Sequence, residues 1–259
     1  MRRAVLLSCL GMLFAMSVAA RDVYVLQGYV TGASFGLEST IWSTDTLFYN
    51  SGPTDESVTL LGISNGIDPV GRVGETLLIP SRRTVSLQQA TSWVPAIPLV
   101  MLHLNAPDAV IVQDVLFVGS QENVGVSGTA DPRKYGKVAL PVFTTLAPPN
   151  TPQIHLETDI GKLEGHLNVG IYNAADRTAT AVIQTRAHCD DGVVSQMTVS
   201  VPANTVVQFG PFQTDTGRCH GNLVKSMYTE VTVDEPSLTF VSALANTTIP
   251  TTSISISGT

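Results

Sequence analysis

The feature that most constrains this chain is the rhythm of its apolar residues. After residue 20, short runs rich in Val, Ile and Thr recur every ~8–12 residues, and none keeps the three-to-four spacing of an amphipathic helix. Val23–Val30, Ile41–Tyr49, Ser57–Ile63, Glu75–Ile79 and Thr84–Leu87 come first, then Val100–Leu104 and Val110–Val118. Turn formers separate them: Asn50-Ser51-Gly52-Pro53, Ser64-Asn65-Gly66, Pro80-Ser81 and Asn105-Ala106-Pro107-Asp108. Later runs are Leu167–Tyr172, Thr178–Ala187, Val193–Val201, Thr205–Phe209, Met227–Val233 and Leu238–Ala245. Met197, Val199 and Val201 alternate with Thr198 and Ser200, which puts one face in a core and one in water. The expectation is an all-β sandwich or barrel.

The two halves agree in register. Leu47-Phe48-Tyr49-Asn50 matches Gly170-Ile171-Tyr172-Asn173 at an offset of 123, and Ile79-Pro80 matches Val201-Pro202 at 122. Val85-Ser86-Leu87 matches Val207-Gln208-Phe209 at the same 122. Anchors at nearly constant offset predict a duplicated domain. The sequence therefore divides into 1–20, a domain at 21–140, a Pro-rich linker at 141–152 and a second domain at 153–259. Pro148-Pro149 cannot join a central strand, because proline has no N–H for the ladder.

Trp42-Ser43-Thr44-Asp45 through Tyr49-Asn50, then Val58-Thr59-Leu60, then Ile79-Pro80 resemble the paired immunoglobulin-like β-sandwich repeats of bacterial secreted proteins. The resemblance implies two tandem immunoglobulin-like domains that serve as spacers or interaction modules, with no family-wide catalytic residues. Cys189 and Cys219 depart from that pattern.

Residues 1–20 carry Arg2-Arg3, an apolar run from Ala4 and small residues at Val18 and Ala20, the layout of a secretory signal peptide cleaved after Ala20. No later segment offers 18 uninterrupted apolar residues, so no membrane span is expected in the mature chain, and its place is secreted or periplasmic. Without Arg2 and Arg3 the chain has 12 Lys and Arg against 21 Asp and Glu. That balance opposes nucleic acid, whose binding needs a basic footprint to release counterions, and anionic membranes equally.

Candidate chemistry is sparse. With Cys9 removed, Cys189 and Cys219 read as one disulfide in an oxidising compartment; free thiols, or a metal site using the adjacent His188 and His220, are the alternatives. Gly62-Ile63-Ser64-Asn65-Gly66 matches the G-x-S-x-G of serine hydrolases, but the Pro- and Gly-rich residues after it exclude the helix that motif needs, so a turn at Asn65-Gly66 is expected. His103, His155, His166, His188 and His220 are scattered without zinc-hydrolase spacing. Asp55-Glu56, Asp190-Asp191 and Asp234-Glu235 sit in turns, where Asp bonds its own backbone; a Ca²⁺ site would need several such loops to converge. Trp42 reads as core. Trp93, in Ser92-Trp93-Val94-Pro95, reads as a possible contact with a partner or a plug between the domains.

The sequence thus predicts no catalytic residue, cofactor or metal. It points to an exported structural or protein-interaction module with a protein or cell-envelope partner. A carbohydrate-binding protein with an aromatic patch stands as the alternative, and a hydrolase with a dispersed site as the third.

Overall fold

The computed structural model describes residues 19–31, 40–66, 71–90, 93, 99–120, 136–162, 166–188, 193–209, 223–244 and 254–258. These are all-β apart from one helical turn. The first part holds β1 (Ala20–Gln27), β2 (Tyr29–Thr31), β3 (Thr40–Asn50), β4 (Glu56–Ile63), β5 (Thr76–Ile79), β6 (Thr84–Ser86), α1 (Leu87–Ala90), β7 (Val100–Pro107), β8 (Val110–Ser120) and β9 (Gly136–Leu140). The second holds β10 (Gln153–Lys162), β11 (His166–Asn173), β12 (Ala179–His188), β13 (Val193–Val201), β14 (Thr205–Phe209), β15 (Leu223–Val233), β16 (Ser237–Leu244) and β17 (Ile254–Gly258).

Among the described residues every strand pairing is antiparallel, and the strands form four sheets. Sheet I is β2-β3-β8-β9 with β6 also on β3, sheet II is β1-β7-β4-β5, sheet III is β14-β11-β16-β17 and sheet IV is β10-β15-β12-β13. Taken in chain order, β1-β7-β4-β5 and β10-β15-β12-β13 follow one plan, and β6-β3-β8-β9 and β14-β11-β16-β17 follow another.

Alternation within the strands assembles the layers. Phe48 and Val110 of sheet I meet Val23, Val25, Val58, Leu60, Leu102 and Leu104 of sheet II in one apolar core. Val169, Ile171 and Val241 of sheet III meet Ala181, Ile183, Val201 and Val231 of sheet IV in another. The opposite faces of sheets II and III are apolar as well: Tyr24, Leu26 and Met101 share a third core with Tyr172, Val206, Leu238 and Phe240. The order of layers is therefore I, II, III, IV, with a buried apolar seam in the middle. At ~25 cal/mol per Å² of apolar surface, such a seam is a folding core rather than a loose domain contact.

Two asparagines build matching corners. Asn50 is wholly buried; its Nδ2 donates to the carbonyls of Thr54 (2.7 Å) and Ile79 (2.9 Å), and its Oδ1 accepts from the Gly52 N–H (2.8 Å). Asn173, also wholly buried, donates to the carbonyls of Arg177 (2.7 Å), Val201 (3.1 Å) and Pro202 (3.0 Å) and accepts from the Ala175 N–H (3.0 Å). Each corner needs an amide because it must donate and accept inside a dry interior.

The Pro-rich stretch is sewn to both sides. Phe143 exchanges two backbone hydrogen bonds with Tyr24 (2.8 and 3.1 Å), and Ala147 exchanges two with Ser237 (2.9 and 3.2 Å). Asn150 donates to Val233 (2.7 Å). Phe143 is buried in the seam core.

Candidate functional site

The seam is where side chains from distant parts of the chain converge. Asn65 follows β4 and Asn204 precedes β14; both adopt left-handed backbone, at φ 67° and 43°, a conformation asparagine tolerates better than most residues. The Asn65 N–H donates to the Asn204 carbonyl at 2.7 Å. Asn65 Oδ1 accepts from the Val206 N–H (2.8 Å) while its Nδ2 donates to the Leu99 carbonyl (2.9 Å). Asn204 Oδ1 in turn accepts from the Tyr172 hydroxyl at 3.1 Å.

Beside this clamp, Tyr24 stacks on His103 with ring centroids 4.4 Å apart and 12° between planes, and leans on Tyr172 at 6.3 Å. His103 Nε2 lies 3.3 Å from Asp22 Oδ1. Burial pushes the Tyr172 phenol up to about 12, with Tyr24 adding to it. Burial, then the Asp22 carboxylate, raises Tyr24. Both phenols stay neutral at physiological pH, so the seam offers hydrogen bonds and apolar surface rather than a nucleophile.

Each sandwich also buries a polar cluster. Between sheets I and II, Gln27 Nε2 donates to Thr46 Oγ1 (2.7 Å) and Asp114 Oδ1 (2.9 Å), and the Thr46 hydroxyl also reaches Oδ1 (3.1 Å). Burial raises the Asp114 carboxyl well above its ordinary range, outweighing the hydrogen bonds from Thr46, Gln27 and the Val115 N–H that favour the anion. Burial therefore favours the uncharged acid at Asp114, whose Oδ2 has no hydrogen-bond partner among the described residues. Between sheets III and IV, Gln153 Oε1 accepts from the Thr239 N–H and hydroxyl, both at 3.0 Å. The single Thr239 hydroxyl hydrogen is thus committed to Gln153, so Thr239 Oγ1 accepts from His155 Nε2, 2.7 Å away. Burial lowers His155 to about 4. The imidazole is neutral and fixed in one tautomer. Among the described residues no three His, Cys, Asp or Glu side chains gather as a metal site would require.

Several sequence-derived candidates find their places. Trp93 is 2% exposed and packs in the core of sheets I and II, with its indole N–H donating to Glu75 Oε2 at 2.8 Å. This corrects the expectation of a partner contact: the indole fills the first sandwich, and it belongs to neither the surface nor the seam. Ser64 is buried, and its Oγ accepts from the Met101 N–H at 2.9 Å, which makes it a strand-end cap. Asn65 and Gly66 turn the chain there with φ of 67° and 62°. Asp55 and Asp234 bond backbone, accepting from the N–H of Ser81 (2.8 Å) and Thr180 (2.7 Å). Cys189 and Cys219 lie outside the described residues, as do His220 and Asp190-Asp191. The Trp42 backbone lies in β3 opposite Val118.

No helix among the described residues is long and apolar enough to cross a membrane. No protein-family profile matches the chain, and no curated protein matches it. Among solved structures, the crystal structure of Thermotoga maritima 1070 is similar over 43% of this chain and 94% of that one, at 13% identity and a TM-score of 0.31.

Proposed function

We propose that this chain is an exported, non-catalytic module of two tandem immunoglobulin-like sandwiches that presents its outer faces to a protein or cell-envelope partner. The observation that carries this reading is the seam. A module that transmits position needs its parts locked, and here an apolar core, the Asn65–Asn204 clamp and the sewn linker join the sandwiches. The shared strand order of the two sheet pairs supports the tandem reading. The buried ionisable groups support a structural role, since burial disfavours the charged forms of Asp114 and His155 and both are engaged with Gln27, Thr46 and Thr239. The reading retains cleavage after Ala20 and a Cys189–Cys219 disulfide as its own elements. The aromatic-patch alternative loses its named residue with the burial of Trp93.

The test has two arms. Small-angle scattering of the purified protein, extrapolated to infinite dilution, should fit one rigid particle, unchanged between low and high salt. A curve that requires a distribution of inter-sandwich distances would remove the rigid-module reading. Separately, reproducible turnover of a substrate that disappears with His155→Gln or Asp114→Asn would replace it with an enzyme.

A further inference from the structure

The strand registers allow the two sandwiches to be compared residue by residue. Asn50 faces Val110 and Asn173 faces Ser237, so Tyr49 and its partner Ile111 hold the positions of Tyr172 and its partner Leu238. Glu56 faces Ile79 and Ala179 faces Val201, which aligns β4 with β12. Leu60 then leads through Leu104 to Val23, and Ile183 through Val231 to Gln153. On that alignment Ile154 and Leu156 hold the positions of Tyr24 and Leu26.

Tyr24, Leu26, Tyr172 and Leu238 are the seam, exposed by 5%, 2%, 6% and 1%. Their four counterparts lie on the outermost faces of the stack and are large, apolar and open. Ile154 and Leu156 on sheet IV are 44% and 67% exposed; Tyr49 and Ile111 on sheet I are 37% and 55% exposed. Sheet IV therefore turns outward the face that sheet II buries in the seam, and sheet I the face that sheet III buries. Repeat proteins usually give their terminal faces a polar coat, and these two lack it at the positions that make the internal contact.

The charges fit too. Arg82 stands where Asn204 stands, in the turn after Pro80 as Asn204 follows Pro202, and shares its left-handed backbone (φ 59°); Arg82 and Arg83 are exposed. On sheet IV, Glu230 pairs with Ile154 where His103 pairs with Tyr24. The sheet I face has a basic rim beside its own Asp45, and the sheet IV face has Glu230 with the exposed Arg186 on the next strand, so the charge match is confined to the Arg82 and Glu230 positions.

We propose that copies of this chain stack head to tail, the outer face of sheet IV in one copy seating on the outer face of sheet I in the next, as sheets II and III meet within the chain. The contact is heterologous, so it extends into an open row rather than closing as a symmetric dimer. It is weaker than the internal seam: Leu47 and Gln113 stand where Gly170 and Phe240 interlock, so the packing there is not reproduced. This inference rests on the reading of the chain as an interaction module and names its partner as a second copy.

The experiment is sedimentation of the purified protein from ~10 µM to ~1 mM, alone and as Leu156→Asp and Ile111→Asp variants, with circular dichroism to verify folding. The expected result is a mass that climbs past the dimer with concentration and falls with added salt. Each variant alone should stay monomeric, because every copy then lacks one of the two faces. Mixing the two variants should restore association but stop at the dimer, where one intact sheet IV face meets one intact sheet I face. If either Asp variant misfolds, Leu156→Ser and Ile111→Ser take its place with the same expected outcome. A wild-type protein monomeric throughout would overturn stacking and leave the interaction-module reading intact, with a different partner. Association that survives the substitutions, or mixing that restores nothing, would also overturn it.

Discussion

Asn65 and Asn204, 139 positions apart in the sequence, sit back to back in left-handed turns, the N–H of the first on the carbonyl of the second at 2.7 Å. Each also reaches into the other's sandwich: Asn65 Oδ1 holds the Val206 N–H, and Asn204 Nδ2 approaches the Ile63 carbonyl at 3.4 Å. The clamp sets an angle where apolar packing alone would allow sliding, since hydrogen bonds are directional and the hydrophobic effect is not.

Replacing Asn65 with Ala should cost about 1–3 kcal/mol, because the Val206 N–H and Leu99 carbonyl lose their partner and the new residue must hold a positive φ. Asn204→Ala should cost a similar amount. In a double-mutant cycle by urea denaturation the two should be non-additive, coupled by at least ~0.5 kcal/mol. Additive effects would mean that the two turns act independently.

At the corners, Asn50→Asp and Asn173→Asp change almost nothing in shape and remove the donor. We expect each to lose about 2–4 kcal/mol at neutral pH, as two or more carbonyls go unbonded beside a new buried charge. A loss below ~0.5 kcal/mol by urea denaturation would show that water replaces the amide.

Gly170 pairs with Phe240 across β11 and β16, and a Cβ built on it would come within 1.9 Å of the Phe240 ring. Its backbone is ordinary strand, so the glycine is there for space. Gly170→Ala should drive the ring outward into the seam and destabilise the protein by about 1–3 kcal/mol. Adding Phe240→Leu should recover part of that loss, and no recovery would place the clash elsewhere.

The two polar clusters should give the sandwiches opposite pH responses. His155 titrates near 4 when folded against 6.5 otherwise, so the unfolded chain binds more protons between those values. The stability it confers is complete above 6.5 and declines as pH falls towards 4, by up to roughly 3 kcal/mol. Asp114 runs the other way: its folded value is raised, so its stabilising effect is greatest in acid and declines as pH rises above the usual carboxylate range. Across pH 4–8, His155→Gln should therefore lose the fall in stability towards acid, and Asp114→Asn the decline that begins above the usual carboxylate range. Unchanged profiles would mean the groups titrate normally.

Trp93→Ala should cost about 3–5 kcal/mol, the range for emptying a buried aromatic site. A variant with unaltered stability would contradict its place in the core.

Much of the architecture was legible from β-branched runs and turn formers, because a strand writes its period into the residues that face a core. Asn50 and Asn173, together with Ile79-Pro80 and Val201-Pro202, stood out as matched pairs since one corner chemistry admits few residues. Three strands escaped notice. In β10, Gln153 and His155 face the interior where β1 has Val23 and Val25, so the buried side looks polar and the exposed Ile154 and Leu156 look buried. The strands β9 and β17 are five residues each; β9 has no alternation to read, and the Ile254-Ser255-Ile256-Ser257 alternation of β17 is too short to stand out. Trp93 was misjudged because Pro95 and Pro98 bar a ladder, and a residue outside any strand looks superficial; yet an irregular segment can still lower one large ring into a core. The seam itself had no local signature. Only β1 hints at it, since Val23 to Leu26 are apolar on both faces, whereas in β16 the polar Ser237 and Thr239 opposite Leu238 and Phe240 mask which face is buried deeper.

The seam has a consequence for biogenesis. While the chain is being synthesised, sheets I and II can close on each other once β9 has emerged, but Tyr24, Leu26 and Met101 wait for β16, about a hundred residues later. Throughout that interval the nascent first sandwich shows a sticky flank, and any partner it meets then, a holdase chaperone or a neighbouring nascent copy, competes with the protein's own unfinished half.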